Sequence, residues 1–188
     1  MTSAITISGV AERDDRLTAH LPMAFEEPHW HVAHTSANHE KRVAQQLLER
    51  SVEHFLPLYN SVRRWKDRRI KLQLPLFPGY VFVRLPVRER RKIFQVLGFA
   101  RLISFNGQPA VVPDVEIEAL RTGLAAQLRA EPHHYLTLGR RVRVKSGPLE
   151  GVEGILIRKK NACRVVVSLN LIRKSASVEV DASDLERI

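Results

Sequence analysis

The sequence predicts an α+β domain, an antiparallel sheet flanked by helices, followed by a small all-β barrel. Three observations predict it. Between residues 29 and 129, short alternating apolar segments are interleaved with stretches of helical periodicity. Across 130–138, AEPHHYLTL breaks both patterns with a proline and two histidines. From Gly139 onward, only short alternating strands remain, with turn residues at regular intervals.

The elements follow in order. Residues 1–28 lack periodicity and set Arg13 and Arg16 against Glu12, Asp14, Asp15, Glu26 and Glu27, so a disordered leader is expected. WHVAHT (30–35) reads as a strand. Ser36 or Asn38 caps a helix in which Val43, Leu47 and Leu48 share one face. FLPLYNSVRRW (55–65) runs out and Ile70-x-Leu72-x-Leu74 runs back, a hairpin with the basic tip Lys66-Asp67-Arg68-Arg69. GYVFVRL (79–85) is a central strand, with Tyr80, Phe82 and Arg84 on one side and Val81, Val83 and Leu85 on the other. ERRKIFQVL (89–97) is a short amphipathic helix stopped by Gly98. RLISF (101–105) is a strand ended by Asn106-Gly107. Pro113 then opens a helix lined on one face by Ile117, Leu120, Leu124 and Leu128. The expected divisions are a leader at 1–28, an α+β domain at 29–129, a linker at 130–138 and a β-barrel at 139–188.

Charge narrows the function. The chain carries a formal net charge of +10. Residues 61–92 hold eleven Lys or Arg against only Asp67 and Glu89. Such a concentration predicts a polyanionic neighbour, most often nucleic acid. The candidates are Arg63, Arg64, Lys66, Arg68, Arg69 and Lys71 on the hairpin, with Arg90, Arg91 and Lys92 on the helix after the central strand. The one cysteine, Cys163, excludes an internal disulfide and reads as a small core residue of a cytoplasmic protein. No apolar run reaches membrane-spanning length, and the N-terminus has no secretory pattern.

Nothing points to an enzyme. No nucleophile motif and no Gly-rich phosphate loop occurs, so no catalytic residue and no cofactor is assigned. His29, His31, His34 and His39 cluster in sequence, but strand alternation sends His34 to the face opposite His29 and His31. No cysteine joins them, and no metal is expected.

Two motifs carry more. Residues 139–156, GRRVRVKSGPLEGVEGIL, place Gly147, Gly151 and Gly154 where turns and close strand approach need them. This spacing resembles the KOW motif, which ribosomal proteins also share. The second is Pro75-Leu76-Phe77-Pro78-Gly79-Tyr80-Val81-Phe82-Val83. It follows Trp30 on a first strand and a helix marked by His39-Glu40-Lys41-Arg42-Val43-Ala44. In this order, ahead of a linker and a KOW-like segment, residues 29–188 are similar to the NusG family of transcription elongation factors.

The resemblance implies a mechanism. In the family, the FPGY segment and its strand neighbours form an apolar concavity that grips the clamp helices of the largest RNA polymerase subunit. Carried over here, that pocket is Phe77, Pro78, Tyr80 and Phe82, with His34 beside them. Pro78 and Gly79 are expected to kink the chain so that Phe77 and Tyr80 are presented rather than buried. The basic hairpin is expected near upstream or non-template DNA.

General NusG factors couple to Rho through a barrel loop of Ile-Phe-Gly-Arg type. Ser168–Lys174, SLNLIRK, lacks that glycine turn and resembles the Leu-Asn-Leu-Ile stretch of the specialised RfaH branch. PLFP (75–78) and PAVVP (109–113) are RfaH-like too. Leu169, Leu171 and Ile172 are therefore candidates for contact with a ribosomal protein. Where RfaH carries a His and threonine tract toward the polymerase gate loop, this chain has Arg90-Arg91-Lys92, which suit DNA instead. The implied protein is a monomeric, operon-specific antitermination factor that suppresses pausing. The alternatives are a general NusG coupled to Rho and, in a different class, a KOW-containing ribosomal or RNA-binding structural protein.

Overall fold

The computed structural model describes residues 26–65, 68–126, 128, 130–133, 139–159 and 162–188. The first part of the chain gives β1 (His29–Thr35), α1 (Glu40–Glu49), β2 (Glu53–Phe55), β3 (Leu58–Trp65), β4 (Arg68–Pro75) and β5 (Tyr80–Leu85). A 3₁₀ turn at Val87–Glu89 leads into α2 (Arg91–Phe94), then β6 (Phe99–Leu102), β7 (Ser104–Phe105), β8 (Gln108–Pro109), β9 (Val111–Val112) and α3 (Asp114–Ala125). β2, β5, β1 and β6 lie side by side in an antiparallel sheet, and β9 also pairs with β1.

Register assigns the two faces. Trp30 lies opposite Arg84, Val32 opposite Phe82, and His34 opposite Tyr80. The alternate residues Ala33, Val81, Val83 and Leu85 turn to the other side. There α1 buries Val43 and Leu47 against them, with Ile93 and Val96 closing the edge. Each fully buried valine or leucine contributes ~1.5–3 kcal/mol, so Val43→Asp would detach the helix. On the first side α3 lays down Ile117 and Leu120 against Trp30, Val32, Phe77 and Phe82.

The remaining strands are β10 (Ala130–His133), β11 (Arg140–Val144), β12 (Glu153–Lys159), β13 (Ala162–Leu169), β14 (Lys174–Glu179) and β15 (Leu185–Arg187). They pair antiparallel in the order β10-β14-β13-β12-β11-β15. Gly154 marks a close approach: a Cβ there would come within 2.5 Å of Val165 Cγ1 and of the Val166 carbonyl.

Several expectations change. The helix opens at His39 with no side-chain cap; Asn38 instead takes a left-handed turn at φ 62°. Leu48 is exposed, because the buried stripe of α1 is narrow and one residue beyond Leu47 is ~100° around the helix. The helix expected over 89–97 shrinks to Arg91–Phe94, since i→i+3 bonds such as Ile93 N–H to Arg90 O tighten the turns around it. The strand expected at 101–105 is interrupted at Ile103, whose N–H bonds to Val32 O at 2.9 Å. Residues 130–133, expected within a linker, form β10 on the edge of the second sheet. Of the leader, residues 1–25 lie outside the described residues, and Glu26 pairs with Arg88. Among the described residues no helix is long and apolar enough to cross a membrane.

Candidate functional site

The motif at 75–83 builds a turn and then a strand. Tyr80 N–H donates to Phe77 O at 3.1 Å, closing a turn with Pro78 and Gly79 at its centre. Gly79 sits at φ 85°, the conformation that a turn with proline second and glycine third requires. Two further bonds pin it: Gly79 N–H donates to Glu40 Oε1 at 2.7 Å, and Thr35 N–H donates to Gly79 O at 2.8 Å. Glu40, first residue of α1, is buried. The turn is thus tied to both α1 and the end of β1.

This arrangement puts Pro78 outside, Tyr80 half-buried and Phe77 inside. Phe77 is 1% exposed, so it is not presented as the kink suggested. Its ring meets Phe82 edge-on at 6.1 Å and 84°, and the turn swings Pro78 rather than Phe77 to the surface. Phe82 is fully buried, with Phe55 on its other side at 6.1 Å. His34 and Tyr80 stand together at 5.3 Å between ring centroids. Arg121 from α3 lays its guanidinium 4.8 Å from the Trp30 ring and 5.3 Å from that of Phe55. Glu53 and Glu118 hold Arg121 at 3.5 and 3.0 Å.

The second sheet covers this face. Ile172 and Ala176 are buried in the same cluster as Trp30, Val32, Phe77 and Phe82, with Leu171 packed beside them. Leu171 and Ile172, in the turn between β13 and β14, share a cleft of about 170 Å³ with Val32, Phe82 and Val112. The sequence separated these residues into two binding sites. The fold joins them, each lying against the other. The side chain of Leu169 lies outside the described residues.

The basic candidates lie elsewhere. β3 and β4 form a separate two-stranded hairpin, with Arg68, Arg69 and Lys71 exposed on β4. Lys66 and the side chains of Arg63 and Arg64 lie outside the described residues. Arg90 and Arg91 are exposed, and no described carboxylate lies in salt-bridge range of either. Lys92 is paired with Glu89 at 2.5 Å. Beside them Phe94 and Phe99 stack at 5.7 Å and 27°, with Phe94 54% exposed, in a cleft that also includes Arg90 and Arg101.

Sequence reasoning missed Phe55, Arg121 and the role of Glu40. Arg121 lies four residues after Ile117, which puts both on one side of α3 and was readable. Phe55 and Glu40 reach the site through tertiary contacts that no local pattern carries.

A sequence profile described as transcription termination factor NusG matches residues 28–121, half of the chain. The chain belongs to the NusG family. The matched residues contain every strand of the first sheet, the turn at 77–80 and most of α3. Curated relatives named transcription termination/antitermination protein NusG match more of it. Those from Pseudomonas aeruginosa and Lactococcus lactis are 26% and 25% identical, each over 85% of this chain and over 98% and 92% of their own. That from Deinococcus radiodurans is 29% identical over 84% of this chain and 98% of its own. Among solved structures, one titled "Domain interaction in Thermotoga maritima NusG" covers 87% of this chain and 98% of its own, at a TM-score of 0.58 and 21% identity. The NusG fold is therefore shared along most of the chain.

Proposed function

We propose that this NusG-family chain is a transcription elongation and antitermination factor that binds RNA polymerase through the face bearing Trp30, His34, Tyr80 and Phe82. The observation that carries the reading is that face itself. Aromatic side chains are aligned there by the β1–β5 register and fixed by the Glu40–Gly79 bond. Rigid aromatics on a sheet are the usual anchors of a protein interface. The clamp helices of the largest polymerase subunit are the proposed partner. NusG-family proteins are transcription factors, not enzymes, and the site's chemistry is recognition rather than reaction.

Occlusion gives the reading its mechanism. Leu171 and Ile172, proposed to contact a ribosomal protein or Rho, are packed on the polymerase-binding face. Both surfaces become available only when the second sheet, proposed to be the KOW barrel, leaves the first. Binding of polymerase to the opened form shifts the population toward it. The exposed cations of the hairpin and the Arg90, Arg91 and Phe94 surface are proposed to face upstream or non-template DNA.

We place the protein in the specialised, operon-directed branch, on the residues Ser168–Lys174. A general NusG is the second reading, favoured by the names of the relatives that match about 85% of the chain. A pausing and Rho-termination assay with purified bacterial RNA polymerase separates them. Suppressed pausing without enhanced Rho termination is expected. Enhanced Rho termination would move the protein to the general branch. Neither effect, together with no binding to polymerase, would overturn the proposal.

A further inference from the structure

The segment that joins the two sheets is itself built into the second one. β10 runs antiparallel to β14, with Ala130 opposite Val178, Glu131 opposite Ser177, Pro132 opposite Ala176 and His133 opposite Ser175. It sits at the sheet's edge and is four residues long. Pro132 has no N–H to give, and proline is tolerated in sheets only in such edge positions. The pairing is therefore weak by construction.

The side chain of a buried arginine reinforces it. Arg164 of β13 is nearly buried, and its guanidinium reaches across β14 to Glu131 Oε2 at 2.7 Å, with Glu179 Oε2 at 3.3 Å. Glu179 belongs to β14, and its Cα stands opposite that of Arg164. Glu131 belongs to the joining segment. The Arg164–Glu131 pair thus holds the segment to the sheet, whereas the Arg164–Glu179 pair is internal to the sheet.

Pairing of β10 also fixes the tether. α3 ends at Ala125 and its capping residue is Ala126. With β10 paired, the second sheet begins at Ala130, four steps beyond Ala126 and so at most ~14 Å from it. With β10 released, the second sheet begins at Arg140, where β11 starts, fourteen steps beyond Ala126 and so at most about 48 Å from it. A single helix with its side chains is about 10–12 Å thick. Moreover, Ala130 packs into the cluster that contains Trp30 and Phe82, while α3 contributes Ile117 and Leu120 to it. A paired β10 therefore keeps the covering sheet beside the face even when Ile172 has lifted away.

We infer that Ala130–His133 is a detachable strand, a latch held by Arg164, whose release lengthens the tether and lets the second sheet clear the Trp30–Phe82 face. The two contacts act in series. Ile172 covers the face, and β10 keeps the local concentration of Ile172 high. The latch is a property of the folded chain and does not depend on which partner takes the face.

Hydroxyl-radical footprinting of the full chain, read by mass spectrometry at Ile172, Tyr80 and Phe82, tests it without polymerase. Two variants act on the latch by different routes. Glu131→Gln weakens the ion pair from the joining segment and leaves Arg164–Glu179 in place. A four-residue Gly-Ser insertion after Ala126 doubles the paired tether and leaves the Arg164–Glu131 pair in place. Glu131→Gln is expected to raise side-chain oxidation at Ile172 and Tyr80 by about 1.4- to 5-fold. The insertion is expected to raise it about threefold, as the local concentration falls with the 3/2 power of tether length. Unchanged oxidation at these residues in both variants would overturn the latch. So would an equal rise at Val142 and Val165, in the core of the second sheet, because that would report unfolding rather than release.

Discussion

The backbone N–H of Gly79 donates to the buried carboxylate of Glu40 at 2.7 Å, across 39 residues of sequence. The bond ties the turn of Phe77–Tyr80 to the first residue of α1. A carboxylate at a helix N-terminus is itself favoured by the helix dipole. Glu40→Ala leaves the Gly79 N–H without its acceptor, and a hydrogen bond to a charged group contributes ~1.5–3 kcal/mol. Glu40→Gln keeps an acceptor and should lose less than half of that. Chemical denaturation of the two variants measures the difference. Equal loss in both would mean that the charge, not the acceptor, holds the turn.

Phe82 and Tyr80 lie two residues apart on one face of β5 and divide into two roles. Phe82 is fully buried, so Phe82→Ala should cost ~3–5 kcal/mol of stability. Tyr80 is only half-buried, against His34. Tyr80→Ala should cost under ~1.5 kcal/mol, within the range expected for losing one aromatic pair. Thermal unfolding of both variants checks this ranking, which makes Tyr80 the cleaner probe of binding.

His31 makes the fold sensitive to acid. It is fully buried, its Nδ1–H donates to Ala110 O at 2.9 Å, and Nε2 has no hydrogen-bond partner among the described residues. Burial, the largest cause, lowers its pKa below 6.5, with the neighbouring His29 acting in the same direction. The unfolded chain then binds the proton more readily than the folded one. Stability should be flat above about pH 7 and fall as pH drops through 6.5 toward the lower folded value. His31→Gln should flatten that slope. Unfolding midpoints from pH 8 to 5 read it directly.

Binding of nucleic acid should depend on salt and on one exposed ring. Each phosphate contact contributes a slope of about −0.7 in log K against log salt for single strands. Arg90→Gln with Arg101→Gln should make the slope shallower by about 1.4. Phe94→Ala should weaken single-stranded binding by ~1–3 kcal/mol while leaving duplex binding unchanged, since only an unpaired base can stack on the ring. Fluorescence anisotropy with single- and double-stranded oligonucleotides at several salt concentrations separates the two effects.

Much of the fold was legible because period-two and helical patterns are local. β1, β5, α1 and α3 follow from the alternation in WHVAHT and GYVFVRL and from the spacing of Val43, Leu47, Ile117 and Leu120. The paired face was legible too, since strand alternation alone puts Trp30, Val32 and His34 together. The failures are tertiary. Phe77 looked like a presented aromatic because Pro-Gly implies a turn, but sequence does not say which flank of the turn faces inward. AEPH looked like a linker because proline and charge oppose strand formation. Its place is held by β14 and by Arg164, thirty-three residues after Glu131. The packing of Ile172 on Phe82 was invisible for the same reason.

The central claim is that one face binds polymerase and that Ile172 covers it, and affinity for RNA polymerase tests both halves at once. Binding of wild type, Tyr80→Ala and Ile172→Ser should be measured side by side. Tyr80→Ala is expected to weaken binding by ~2 kcal/mol, about 30-fold, as an interface anchor would. Ile172→Ser is expected to tighten it, because the closed state no longer competes with the partner. Unchanged binding by Tyr80→Ala, or weaker binding by Ile172→Ser, would contradict the account.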